Sequence, residues 1–419
     1  MKIRFLMLLF SIVISLLTIW KPAAAISGTT PNDSLFSQQW GLNNINTVGA
    51  DINILEAWDI EPGDPNVIVA IIDMGFDLTH TDLQNNIWKN PGEIPENGID
   101  DDQNGYIDDI IGWDFVNQSE GYEDDGNDYK DEDNDPTLSQ SSHGNEVFGV
   151  IGATMNNAIG IAGVTGRCKM MLIRAGYINT QGKAVLSGAA IIKGIIYATD
   201  NGASVINISS GSNKYSNSYH DVLKYAIDHG VVITCSAGNE GSNTPVYPAA
   251  YNLDGLISVG ASTDEDQPAR FSNRGDWVDV SAPGQHIVST MNNDRYGQIH
   301  GTSFSAPIVA GIAALLVSHY PDWTPAQIHD RIMATVDVLE SLKDANATSG
   351  RVNAYRALLN TDINDAGNTG GGNNATNDAE QPAPGVSAND DGGGGGGGCF
   401  LSITRESAID RILPKGVFE

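Results

Sequence analysis

The chain has 419 residues, and its 22 Lys and Arg against 52 Asp and Glu give a formal charge of −30. This length is enough for one large domain or two ordinary ones, each with a buried core. The charge argues against nucleic acid as a partner, because a phosphate backbone would be repelled. It favours an exported protein with carboxylate-rich cation sites.

The first 25 residues predict a secretory signal peptide. Lys2 and Arg4 precede an apolar run, and residues 23–25 are the small alanines typical of a cleavage site. An uncleaved membrane anchor is the alternative, but the alanines after Pro22 favour cleavage. We expect no transmembrane helix in the mature chain. A monomer that is secreted or held at the cell surface is therefore predicted.

Residues 26–360 are predicted to form one domain. Five short apolar runs are typical of buried parallel strands: 67–72, 171–173, 205–208, 231–234 and 256–259. Helical patterns at 184–199 and 219–229 fall between them. This alternation indicates an α/β fold of three layers, with a mostly parallel central sheet covered by helices on both faces. Residues 307–319 are apolar on nearly every side, which predicts a helix buried in the core.

The composition changes after residue 360. Asn, Gly, Asp and Pro dominate residues 361–398, which end in seven glycines and predict a flexible linker. Residues 399–419 form a short tail that begins with Cys399. Glycines followed by a cysteine are similar to the anchoring or processing tails of some bacterial exported proteins. A flexible disordered tail is the alternative.

The chain has three cysteines, which is too few for a disulfide framework. Cys168 and Cys235 lie in or beside apolar, strand-like segments and are predicted to be buried thiols. A single bridge between them is an open alternative. No Cys and His spacing indicates zinc.

Four polar residues stand where reactive groups are expected, at the carboxyl ends of strands and the start of helices. Asp73 follows six apolar residues and needs a partner there, although such an Asp also caps turns. A lone histidine at a helix start, like His143, usually has no catalytic role. Ser303 lies near a helix N-terminus, where the dipole favours negative charge but serines also cap routinely. Asn239 follows the 231–234 strand in a stretch equally typical of a turn.

Together these positions resemble the subtilisin-like serine proteases (subtilases). Asp73 lies in D-x-G-x-D, His143 in H-G-x-x-V, Asn239 in S-A-G-N and Ser303 in G-T-S-F-S-A-P, and the order Asp, His, Ser is that of the family. The resemblance covers about residues 33–360 and includes SQQWGL, VINISSGS, YPAAY, FSNRG and SAPG.

The resemblance implies a serine endopeptidase that hydrolyses peptide bonds through an acyl-enzyme. Ser303 would be the nucleophile, His143 the general base, Asp73 the group that orients the base, and Asn239 the donor of the oxyanion hole. No cofactor would take part in the chemistry.

The resemblance also implies how a protein or peptide substrate binds. It would add a strand between two edge segments, one near Gly182 and the other at Ser209, Ser210 and Gly211. Glu240 would lie at the rim of the S1 pocket, which predicts acceptance of Lys or Arg at P1.

An acidic loop predicts a structural calcium site. Asp100, Asp102, Asn104 and Asp108 have the spacing of an EF-hand-type loop, although Ile111 stands where that loop has Glu. Fifteen acidic residues against one lysine between 100 and 135 need water or cations around them. A solvated acidic loop is the alternative.

The resemblance implies a second calcium site. Its ligands would be the side chain of Asn157, the carbonyls of Ile159 and Ile161, and the carboxylate of Asp82. Gln39 would be an additional ligand near the N-terminus.

Three residues depart from the family pattern. Met74 stands where the family has a Ser or Thr that can bond the neighbouring carboxylate, and Asn145 and Glu146 follow His143-Gly144 where the family has Thr-His. These changes keep open a subtilase-fold binding or scaffold module with little or no peptidase activity. A lipase or esterase is disfavoured, because those enzymes use G-x-S-x-G in another chain order.

Overall fold

A computed structural model describes residues 30–117, 131–138, 140–179 and 182–359, and the backbone of 401–404. The predicted signal peptide, and nearly all of the predicted linker and tail, lie outside the described residues.

The described chain alternates strands and helices along most of its length. The strands are β1 (Ile68–Asp73), β2 (Gly112–Asp114), β3 (Lys169–Arg174), β4 (Gly176–Ile178), β5 (Ala184–Ser187), β6 (Val205–Ile208), β7 (Ser210–Gly211), β8 (Val232–Ser236), β9 (Leu256–Ser262), β10 (Val280–Pro283), β11 (Ile287–Met291), β12 (Arg295–Ile299), β13 (Asp337–Val338), β14 (Gly350–Arg351) and β15 (Leu401–Thr404). The α-helices are α1 (Ile54–Ile60), α2 (His143–Gly152), α3 (Gly188–Asp200), α4 (Asn217–Asp228), α5 (Thr302–His319), α6 (Pro325–Ala334) and α7 (Ala354–Leu358).

The central sheet has nine strands in the order β13-β14-β10-β9-β8-β6-β1-β3-β2. All neighbours pair in parallel except β13 and β14. The five predicted strands are present as β1, β3, β6, β8 and β9. The prediction of an α/β fold with a mostly parallel sheet is therefore confirmed. The apolar runs identified these strands because strands buried on both faces need nearly continuous apolar sequence.

Helices cover the central sheet on both faces. One core cluster joins α2 and α5 to the sheet, and the other joins α3 and α4 to its opposite face. Helix α5 is long and apolar enough to cross a membrane by length and composition alone, but 83% of it is buried inside the protein. It is the core helix predicted at 307–319, and it begins five residues earlier.

The predicted helix 184–199 is wrong over its first four residues. Residues 184–187 form β5, an antiparallel partner of β4, and the helix α3 begins only at Gly188. Ser187 ends the strand and caps the helix, since its Oγ accepts a hydrogen bond from the Ala190 amide at 3.3 Å. Strand β5 belongs to a small second sheet in the order β4-β5-β15-β7.

Cys168 and Cys235 are free, buried thiols, so the open question of a bridge between them is answered. The Thr165 hydroxyl donates a hydrogen bond to Cys168 Sγ at 2.8 Å. Burial raises the pKa of both thiols, which lowers the fraction of reactive thiolate.

We expect both thiols to resist modification in the folded protein. In a Cys399→Ser variant, a thiol reagent should react with neither cysteine under native conditions and with both in denaturant. A reductant should leave the denaturation midpoint unchanged, and a midpoint that falls on reduction would contradict the free-thiol state.

Candidate active site

The side chains of Asp73 and His143 meet where β1 ends and α2 begins. His143 Nδ1 lies 2.7 Å from Asp73 Oδ1 and 3.0 Å from Oδ2, and both residues are nearly fully buried. Asp73 Oδ1 also accepts the Met74 amide at 2.7 Å. These contacts satisfy a carboxylate that would otherwise be costly to bury at the end of an apolar strand.

Gly144 allows α2 to approach the loop after β1 closely. A Cβ at this position would lie 2.2 Å from the carbonyl oxygen of Gly75 and 3.0 Å from the Phe76 ring. Any larger residue would therefore push the start of α2 away from this loop, and His143 away from its carboxylate partner.

Asn145 fixes the same junction with a pair of hydrogen bonds. Its Oδ1 accepts the Asp77 amide at 2.8 Å, and its Nδ2 donates to the Asp77 carbonyl at 3.1 Å. The Thr290 hydroxyl of β11 donates to the Asn145 carbonyl at 2.7 Å. This departure from the family pattern therefore anchors the first turn of α2 to the loop that follows Asp73.

The other two departures, Met74 and Glu146, are both buried. Met74 is fully buried in the hydrophobic cluster that also contains residues of α3 and α4. Apolar packing therefore takes the place of the hydroxyl group that the family has at this position. Glu146 is also buried within the first turn of α2. Burial raises its pKa, the charge of His143 opposes this, and the charge of Asp73 raises it further.

Ser303 is the second residue of α5 and is fully buried. Its Oγ donates to the Ser209 carbonyl at 3.2 Å, and the Ser209 hydroxyl donates to the Ser303 carbonyl at 2.8 Å. The ring of the next residue, Phe304, lies 5.5 Å from the His143 ring, centroid to centroid. The structure thus brings the start of α5 beside both the start of α2 and the segment between β6 and β7.

Asn239 lies in the loop after β8, and Thr302 holds its side chain. Asn239 Oδ1 accepts the Thr302 amide and the Thr302 hydroxyl, both at 2.9 Å. Thr302 Oγ1 in turn accepts the Gly238 amide at 3.0 Å. With its oxygen fixed at the start of α5, the amide group of Asn239 has one defined orientation. Sequence reasoning missed this role of Thr302, whose only signal was its place before Ser303.

The predicted substrate-binding segments belong to the small sheet or lie beside it. Ser210 and Gly211 form β7, directly after Ser209. Gly182 lies in the turn between β4 and β5, where its amide donates to the Asn179 carbonyl, and the strand that follows it is Ala184–Ser187. The Glu240 carboxylate is exposed and accepts a hydrogen bond from Asn273 Nδ2 at 2.8 Å.

The loop after α2 gathers the residues of one predicted calcium site around a buried carboxylate. Asp82 is fully buried and accepts hydrogen bonds from Asn157 Nδ2 at 2.7 Å, the Ile161 amide at 3.0 Å and the Tyr296 hydroxyl at 3.2 Å. Asp33 accepts the Asn157 amide at 3.3 Å and is also buried. Burial raises the pKa of both carboxyl groups.

Two more predicted ligands flank this carboxylate. The amide of Ile159 donates to Asn157 Oδ1 at 2.7 Å, so both residues belong to one tight turn. Gln39 exchanges hydrogen bonds with the backbone of Ala162, the residue after Ile161.

The acidic loop brings together part of the other predicted calcium site. Ligand oxygens of Glu93, Asp100 and Asp102 all lie within 4.8 Å of one another. Asn104 joins them, because its amide donates to Asp100 Oδ1 and Asp102 Oδ1 at 3.0 Å. The Asp108 carboxylate instead accepts the amides of residues 97 and 98. Sequence reasoning missed Glu93, which stands seven residues before the Asp-rich spacing.

Comparisons with known proteins identify the family of this chain. The model of the subtilase family matches residues 64–378. The thermophilic serine proteinase of Bacillus sp. (strain AK1) is 36% identical over 330 residues, which span 78% of this chain and 69% of that protein. Thermitase of Thermoactinomyces vulgaris is 32% identical over 331 residues, or 78% of this chain and 99% of thermitase.

A solved structure has the same fold. A protease from Pseudoalteromonas arctica PAMC 21717 aligns with a TM-score of 0.65 and 28% identity, over 79% of this chain and 99% of that one. The chain therefore belongs to the subtilase family and is a serine endopeptidase.

Proposed function

We propose that this endopeptidase is exported and works through Asp73, His143 and Ser303, with Asn239 in the oxyanion hole. The observation that carries the proposal is the 2.7 Å contact between His143 Nδ1 and Asp73 Oδ1 in a buried setting. Export is supported by the signal-like composition of residues 1–25. The proposed domain runs over 26–360, followed by the linker 361–398 and the tail 399–419, where Cys399 is a candidate for anchoring or processing.

In the proposed mechanism the buried carboxylate fixes the imidazole. Asp73 holds the proton on His143 Nδ1, so Nε2 is the nitrogen that takes the proton from Ser303 Oγ. Ser303 attacks the substrate carbonyl, and the resulting oxyanion is stabilised by the Asn239 amide and by the backbone amide of Ser303 at the start of α5. His143 then returns the proton to the leaving amine, and water releases the acyl group by the same route.

We propose that the substrate adds a strand beside β7. Ser209, Ser210 and Gly211 would supply one wall through their backbone groups, and β5, just beyond Gly182, would supply the other. The exposed Glu240 carboxylate supports acceptance of Lys or Arg at P1.

The central test is labelling with a fluorophosphonate, which reacts only with an activated serine. We expect labelling at Ser303 in the wild type and none in Ser303→Ala. Asp73→Asn should slow labelling by about 10⁴-fold, because it favours the wrong tautomer of the base. Failure to label folded wild type, with folding checked by circular dichroism, would contradict the proposal and favour the binding or scaffold module.

Thr302 should act on catalysis through Asn239. Asn239→Leu should lower kcat by about 10²- to 10³-fold, the usual loss for one oxyanion donor. Thr302→Val should lower kcat about tenfold with KM nearly unchanged, because the amide loses one of its two fixing bonds, while Thr302→Ser keeps the hydroxyl and the activity.

A double variant separates positioning from general damage. In the Asn239→Leu background, Thr302→Val should cause no further loss of kcat. A full additional tenfold loss would show that Thr302 acts independently of Asn239.

We also propose structural calcium at both loops. The fully buried Asp82 carboxylate has no ion pair with Lys or Arg in the described part of the chain, and Asp33 lies close by. Asp82, Asn157, Ile159 and Ile161 supply the hard oxygen donors that calcium prefers, with Gln39 beside them. Bound calcium would offset the charge that burial otherwise penalises.

The second proposed site would use the acidic loop. Carboxylate oxygens of Asp100 and Asp102 converge with those of Glu93 and fit a divalent cation, and Asn104 lies beside them through its backbone amide. Asp108 would support the loop through its backbone contacts.

Chelation tests the calcium proposal. EDTA should lower Tm by about 5–10 °C, as expected when a ligand that contributes about 3–4 kcal/mol is removed from a large domain. In calcium, Asp82→Asn and Asp102→Asn should each have a lower Tm than the wild type, and EDTA should lower their Tm by less. EDTA should leave the Tm of the double variant unchanged. An unchanged wild-type Tm in EDTA would contradict structural calcium at either loop.

A further inference from the structure

A segment from the far end of the chain lies between the two strands proposed to bind substrate. Strand β15 (Leu401–Thr404) pairs with β5 on one side and β7 on the other. Ser402 is in register with both Val185 and Gly211, and Leu401 with Ser210. Strands β5 and β7 are not neighbours, so β15 fills the position between them.

This position is next to the proposed nucleophile. Strand β7 directly follows Ser209, whose carbonyl oxygen lies 3.2 Å from Ser303 Oγ. A peptide that adds a strand beside β7 must therefore use the backbone groups that β15 already occupies.

We propose that Leu401–Thr404 is a built-in competitor that occupies the substrate cleft of its own chain. The inference rests on the proposed function only in taking the slot between β5 and β7 as the substrate cleft. The tail would reduce access to the substrate cleft, and a substrate would have to displace the tail in order to bind.

The direction of the segment explains how it can occupy the cleft without being cut there. It runs parallel to both β5 and β7, so Leu401 lies at the Ser209 end of the cleft and Thr404 at the far end. The acyl part of a substrate lies on the N-terminal side of the scissile bond. When it is held in this cleft, its C-terminal residue must therefore be the one nearest to Ser303. In the tail, the N-terminal residue of the paired segment, Leu401, is the one nearest to Ser303. The paired segment therefore does not present an acyl group to the serine.

Backbone pairing also explains why such a segment can bind at all. The two edges of a strand slot offer amide and carbonyl groups to any extended peptide, and they depend little on the direction of that peptide or on its side chains. Residues 401–404 contain no proline or glycine, and Ile403 and Thr404 are β-branched.

The connection to the domain makes a weak contact effective. Residues 359–400 separate α7 from β15, and at about 3.4 Å per residue a fully extended segment of this length would reach far across a domain. A tether that can span the distance gives an effective concentration on the order of 1 mM. A tail that binds in trans with a Kd of about 100 µM would then occupy the cleft in about nine of ten molecules, which raises the apparent KM about tenfold.

Proline substitution in the full chain tests the pairing. Ile403→Pro removes a backbone donor from a strand that is paired on both sides. It should lower KM for a peptide substrate about tenfold and leave kcat unchanged, whereas Ala379→Pro, a matched proline outside the paired strand, should change neither. Equal KM values in wild type and Ile403→Pro would overturn the inference. So would an effect that grows with protein concentration, which would show that the tail of another copy is the competitor.

The isolated segment provides the converse test. A synthetic peptide of residues 400–406, FLSITRE, should restore a raised KM when it is added to Ile403→Pro, with kcat unchanged. Mass spectrometry should recover it intact. Inhibition that is noncompetitive, or cleavage of the peptide within residues 401–404, would overturn the inference.

Hydrogen exchange separates this inference from the proposed function, because it needs no activity. In Ser303→Ala, those amides of β5 and β7 that face β15 should exchange at least tenfold more slowly with the native tail than with Ile403→Pro, whereas the Ser187 amide, which donates to the Ala175 carbonyl, should not change. Protection without any peptidase activity in the native chain would support the tail and refute the proposed mechanism. Equal exchange in an active enzyme would do the reverse.

Discussion

The buried carboxylate of Asp73 is the constraint on which the site depends. An ionised group at the end of an apolar strand loses its hydration, and only directed hydrogen bonds can offset a cost of several kcal/mol. The structure supplies them from the Met74 amide and from His143. Because His143 is the first residue of α2, satisfying the carboxylate also fixes where that helix begins. The contact that offsets the cost of burying the Asp73 carboxylate therefore also positions the proposed general base.

The remaining parts of the site are held by contacts between element ends. Asn145 ties α2 to the loop after β1, and Thr302 ties the Asn239 side chain to the start of α5. Ser209 and Ser303 exchange hydrogen bonds, which joins α5 to the segment before β7. Each of these hydrogen bonds involves the side chain of a residue at or beside the end of an element. Precision at the site thus comes from satisfying the ends of elements that the parallel sheet brings to one edge.

The sequence predicted most of the central sheet, and its failures elsewhere have physical causes. Continuous apolar runs identified the central strands, because burial on both faces leaves no other composition. The helix predicted from 184 failed at its start, since the three apolar residues 184–186 suit strand and helix equally until Ser187 caps the helix. Glu93 and Thr302 escaped prediction for another reason. Their roles depend on contacts across loops, which local spacing does not encode.

The position of β15 could not be predicted either, and the reason bears on how the cleft works. Main-chain pairing accepts extended peptides with little regard to sequence, which suits the proposed substrate cleft. The same tolerance leaves the cleft open to any segment of the chain that can reach it. Reach is set by the length of the segment 359–400, which separates α7 from β15. The sequence can therefore indicate a linker and a strand-forming segment beyond it. The pairing of that segment with β5 and β7 depends on where these two strands lie, which a local sequence pattern does not give.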